Sequence, residues 1–70
     1  MITWMNRITM SDEAAQMAFE GKNEAEVDFT YINTKTGKES THKETLHRAI
    51  LLAESRRDDG RYKNYEFHIG

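Results

Sequence analysis

Apolar positions repeat along this chain first with period two, then 3.6, then two twice, then 3.6, then two. Ile2, Trp4, Ile8 and Met10 fall on alternate positions with Thr3, Arg7 and Thr9 between them, the pattern of a half-buried strand interrupted by a bulge at Asn6. Trp4, Ile8, Ala15 and Ala18 also fit a helical spacing, so a single helix over 3–20 is the rival reading; the Thr and Ile density favours the strand. Over 11–20 the signals are helical. Thr9 or Ser11 can cap, Asp12 and Glu13 occupy the first turn, Ala14, Met17 and Ala18 form an inner stripe, and Gly21 supplies a left-handed end.

From Glu24 to Asn33 the alternation is clean, with Ala25, Val27, Phe29 and Tyr31 on one side and Glu24, Glu26, Asp28 and Thr30 on the other. A hairpin turn over 33–38, with Gly37 at positive φ, leads to a short return strand over 38–41 that has no apolar residue. Thr41-His42-Lys43-Glu44 matches a capping box, and Leu46, Ala49, Ile50 and Ala53 then follow as the stripe of a second helix, with Leu51 off that stripe. Asp58-Asp59-Gly60 is read as the end of this helix, with Gly60 as its left-handed residue. The last strand spans 62–69, with Tyr65, Phe67 and Ile69 inward and Glu66 and His68 outward.

These elements predict one α+β domain over residues 1–70 in β-α-β-β-α-β order, an antiparallel sheet with two helices on one face. A ferredoxin-like strand order fits that sequence of elements but places the 38–41 strand centrally, where its polar side chains are ill suited. The alternative puts the hairpin at an edge.

Size and composition narrow the classes. Seventy residues, 37% of them hydrophobic, supply one small core, and such a chain buries only about 60% of its unfolded surface. A partner or a homodimer is therefore a natural source of added stability. The absence of cysteine excludes a disulfide framework, a thiolate metal site and a cysteine nucleophile, and favours a reducing compartment. The first residues do not read as a signal peptide, and the longest apolar run is Ala49 to Ala53; a soluble cytoplasmic protein without a membrane segment is expected. Charge is uneven: residues 1–33 carry a net −4 and residues 34–70 a net +2. Such a dipole steers charged partners.

Candidate chemistry is sparse. If His42 and His47 share a helix they lie roughly 140° apart around its axis and cannot ligate one ion, and His68 stands with scattered carboxylates, so no metal or cofactor is expected. Ser11, Ser40 and Ser55 lack a nucleophile-elbow setting, and Thr36-Gly37-Lys38 lacks the upstream glycine of a phosphate loop. No catalytic residue is assigned, and an enzyme is not expected.

Two surfaces remain. Glu24, Glu26 and Asp28 project from one strand face about 7 Å apart, and with an apolar patch at Leu51 they are the candidate protein-binding residues. Ile32 and Trp4 are further apolar positions without an evident cover. Arg56, Arg57, Arg61 and Lys63 with Tyr62, and Tyr65 beside it, form the alternative, a nucleic-acid-binding cluster that clamps phosphates and stacks bases. The reading that follows is a small non-enzymatic protein-binding module. In size and composition it is similar to the accessory proteins with which phages inhibit or regulate host enzymes and defence complexes, a likeness of type that rests on no motif.

Overall fold

The first apolar alternation folds back on itself. In the computed structural model, which describes residues 1–70, β1 (Ile2–Met5) turns at Asn6-Arg7 and pairs antiparallel with β2 (Ile8–Met10). The expected bulged strand is therefore a hairpin, with its irregularity between Thr3 and Met5 rather than at Asn6. The turn needs a left-handed residue, and Arg7 takes that conformation at φ 70. Helix α1 (Asp12–Phe19) follows, capped by the Ser11 hydroxyl, which accepts from the Ala14 amide at 3.0 Å, and closed by Gly21 at φ 75.

Strand β3 (Glu26–Asn33) and strand β4 (Glu39–Thr45) form the long hairpin, with Gly37 at φ 80 in the turn. β4 runs past the expected end at Thr41 because its pairing with β3 continues from Ile32↔Glu39 to Glu26↔Thr45. This overturns the capping box. Thr41 sits in the ladder opposite Thr30, and α2 (Leu46–Asp58) is capped by Thr45, whose hydroxyl accepts from the Arg48 amide at 3.3 Å. Two further amides at the start of α2 donate to the turn before β3: Leu46 to the Ala25 carbonyl and His47 to the Asn23 carbonyl. Those partners come from another part of the chain, so no local motif announces them.

Gly60 is not the left-handed end of α2. Asp59 leaves the helix in extended conformation and caps a 3-10 turn, Gly60–Tyr62, before β5 (Tyr65–Ile69).

The five strands lie in the order β1-β2-β5-β3-β4. The chain is thus an α+β domain with both helices on one face of its sheet, as the periodicities predict. Two details differ from expectation. The sheet is mixed, since β2 and β5 run parallel while every other pair is antiparallel. The ferredoxin-like order is not adopted either: β4 is an edge strand bonded only to β3, and β5 is central. The reason is hydrophobic. β4 has no apolar side chain to bury, whereas β5 contributes Phe67 and Ile69, both essentially inaccessible.

The helix-side core joins Ile8, Met10, Val27, Phe29, Phe67 and Ile69 of the sheet to Ala14 of α1 and Leu46, Ala49 and Ala53 of α2. Alanines on the helices let their backbones approach the sheet closely. The opposite face is open and polar, with a row across all five strands formed by Thr3, Thr9, His68, Thr30 and Thr41. No helix is long and apolar enough to cross a membrane.

Candidate functional site: two flanks of the second helix

Helix α2 crosses the sheet with its buried stripe down, and its two flanks present different chemistry. On the β1 side, Trp4 reaches over to α2 and its indole nitrogen donates to Glu54 Oε2 at 2.8 Å. Leu51 lies one turn before Glu54 on the outward face of the helix, and Ile2 precedes Trp4 on β1. These three large apolar side chains remain 42% (Trp4), 52% (Leu51) and 45% (Ile2) exposed, so folding alone does not satisfy them. β1 is a sheet edge without a charged residue, unlike the opposite edge β4, which carries Glu39, Lys43 and Glu44.

On the β4 side the flank is aromatic and basic. The Arg56 guanidinium lies 5.5 Å from the ring centre of Tyr31, 5.4 Å from Tyr62 and 5.9 Å from Phe29. Tyr65 joins the group 5.2 Å from Tyr62 and 6.2 Å from Tyr31, and the His42 ring stands edge-on to both Phe29 and Tyr31. Two separate elements build this arrangement. β3 and β5 align Tyr31 and Tyr65 on the helix side of the sheet beyond the end of the aliphatic core, and the last turn of α2 places Arg56 over them.

Neighbouring cations are engaged elsewhere. Arg57 donates to the Asn6 carbonyl at 2.7 Å and to Asp58 at 2.7 Å. Arg61 grips Asp59 with contacts of 2.8 and 3.1 Å, which hold the Asp59 carboxyl below its usual range and raise the Arg61 guanidinium. Lys63 makes no ion pair. The predicted cluster of Arg56, Arg57, Arg61, Lys63 and Tyr62 is therefore local in space but divided in duty: two of its arginines bind the chain's own acceptors, and Arg56 and Tyr62 stack together.

The acidic candidates do not form one surface with Leu51. Glu26 and Asp28 project from the open face of the sheet, Glu24 lies in the turn ahead of β3, and Leu51 is on the outer side of α2. Asp28 is matched by Lys43 across the hairpin at 2.8 Å; this contact raises the Lys43 ammonium above its usual range. On the same open face, Ile32 borders a shallow concavity of about 420 Å³ with Thr3, Thr9, Glu66 and His68. His68 Nδ1 meets the Thr9 hydroxyl at 2.9 Å, not Glu66. The three histidines stand on three different elements, His42 in β4, His47 in α2 and His68 in β5.

The sequence points to Arg56 with Tyr62 and Tyr65, but not to Tyr31 or His42 as their companions. The available signal for Tyr31 was that it prolongs the inward row of its strand beyond the aliphatic core, as Tyr65 does in the last strand. Comparison of the chain with protein-family models, curated proteins and solved structures returns no match.

Proposed function

We propose that this chain is a non-enzymatic protein-binding module, an inhibitor or regulator of a larger protein, with the Trp4–Leu51 flank of α2 as its principal contact. One observation carries the reading: Trp4, tied to Glu54 of α2, Leu51 one turn earlier on that helix, and Ile2 on the same uncharged edge strand as Trp4 are each about half exposed in a chain with very little core to spare. Aromatic and aliphatic anchors of this kind supply most of the energy of protein interfaces. Glu54 holds the indole in place, so the anchor is preorganised. The acidic residues Glu24 and Glu26 lie outside this flank and serve the reading as steering charge.

The test is capture from native host extract by the tagged chain, compared with Trp4→Ala and Leu51→Glu. A specific partner retained by the parent chain and by Glu24→Lys/Glu26→Lys, but lost in both flank variants with folding intact, supports the assignment. Retention in the flank variants with loss in the charge-reversed one moves the contact to the acidic residues. Sedimentation of the purified chain identifies a second copy as the partner when the Trp4 and Leu51 variants alone become monomeric. Salt-sensitive retention of DNA or RNA that disappears in Arg56→Ala/Lys63→Ala favours the nucleic-acid alternative instead.

A further inference from the structure

We infer that the opposite flank of α2 is a second recognition site, in which Arg56 and the tyrosines around it take an acidic segment of a protein, one carboxylate on the guanidinium and the neighbouring apolar side chain on the rings.

Arg56 lacks a polar partner of its own. Its guanidinium makes no hydrogen bond and no ion pair within the chain, although every other arginine makes at least one. The acids nearest in sequence are already matched, Asp58 by Arg57 and Asp59 by Arg61, while Glu44 meets His42 at 3.1 Å and Arg48 at 3.5 Å. None of the hydroxyls of Tyr31, Tyr62 and Tyr65 is paired either. All of these groups belong to half-buried residues, and no such residue has a polar atom that is both buried and unpartnered. Their free donors and acceptors therefore reach solvent.

Stacking fixes the position of the charge. With three rings within 6 Å, the guanidinium loses much of the rotamer freedom that makes an exposed arginine a poor partner, and its N–H edge remains free for a planar acceptor. A carboxylate meets that edge with two parallel hydrogen bonds. Tyrosine and arginine together are the residues most enriched among energetic anchors of protein interfaces.

The same surroundings disfavour a phosphate backbone as occupant. Nucleic-acid affinity grows with the number of free cations, and here Arg57 and Arg61 are consumed internally, so the cluster offers too few to track a phosphate backbone. One fixed guanidinium flanked by tyrosines suits a single carboxylate with an apolar neighbour. The site stands apart from the Trp4–Leu51 flank, and its test does not depend on the outcome of the capture experiment.

That test is a nuclear magnetic resonance titration of the whole chain, following the Arg56 Nε–H signal and the ring signals of Tyr31, Tyr62 and Tyr65. The probe is the peptide acetyl-Gly-Glu-Leu-Glu-Gly-amide, beside the same peptide with Gln for Glu, an oligothymidylate and inorganic phosphate. The site predicts saturable shifts with the glutamyl peptide, at least about tenfold weaker binding of the glutaminyl peptide, and about tenfold weaker binding by Arg56→Lys, which keeps the charge but loses the planar fork. The peptide comparison needs no variant, so it stands even where Arg56→Lys perturbs the fold. Absence of saturable shifts at millimolar peptide, equal binding of both peptides, or tighter binding of oligothymidylate or phosphate would each overturn the inference.

Discussion

Arg7 holds a left-handed backbone at φ 70, a conformation that costs a non-glycine residue about 1–2 kcal/mol, and its side chain explains why glycine does not stand there. The guanidinium donates to the carbonyls of Arg57, Tyr62, Lys63 and Tyr65 at 2.6 to 3.2 Å. It thereby ties the β1–β2 turn to the end of α2 and to the irregular segment leading into β5. Hydrogen bonds from a charged donor contribute more than neutral ones, so Arg7→Ala should lower stability by about 2–3 kcal/mol. Arg7→Gly loses the same bonds but relaxes the backbone, and should be the more stable of the two variants by about 1 kcal/mol. Urea unfolding of both variants checks the pair. An alanine variant within about 0.5 kcal/mol of the parent would show that the clamp contributes nothing beyond a typical surface side chain.

At the scale of elements, local chemistry and long-range pairing compete at the junction of β4 and α2. Thr41-His42-Lys43-Glu44 has the composition of a helix start, yet β3 offers Thr41 to Thr45 a continuous ladder, and the Ala25 and Asn23 carbonyls wait for amides farther along. The ladder prevails. Thr45→Ala should therefore cost about 1 kcal/mol as the loss of a cap. Thr41→Ala, which removes only a cross-strand hydroxyl contact with Thr30 at 2.9 Å, should cost roughly 0.2–0.5 kcal/mol. Chemical denaturation that ranks the two in the reverse order would restore the helix start at Thr41. This junction also shows what a sequence reveals. The Ser11 cap, the inward row of β3 and the α2 stripe were legible because each depends on neighbours within a few residues. The β1–β2 turn, the length of β4 and the central place of β5 depend on partners dozens of positions away. The candidate sites divide the same way. The exposure of Leu51 follows from its helical phase, whereas the company of Arg56 follows from the register of β3 against β5.

For the whole molecule, the core is one cluster of ten buried residues, in which the Phe29 ring stacks on Phe67 at 6.1 Å and neighbours Tyr31, His42 and Arg56. Phe29→Ala should cost about 3–5 kcal/mol, comparable with the entire stability of so short a chain, and a loss of cooperative unfolding in that variant is the expected readout. Charge acts more weakly, because its pairs lie at the surface. Glu20 is held below the ordinary value of 4.5 by a hydrogen bond from Gln16 and by Lys22, and Asp59 below 3.8 by Arg61. For these carboxylates the stabilisation is present above the unfolded values and disappears as pH falls through the lower folded ones. Lys43 is raised above 10.5 by Asp28, so its contribution is present below that value and disappears as pH climbs through the higher folded one. Since all three pairs lie at the surface, salt should erase most of what they add. Lys43→Gln should accordingly melt slightly below the parent near neutral pH in dilute buffer, and the two should coincide either in about 1 M sodium chloride or above the lysine range. A gap that survives both conditions would mean that the Lys43 stem, by packing along β4, contributes more than its charge.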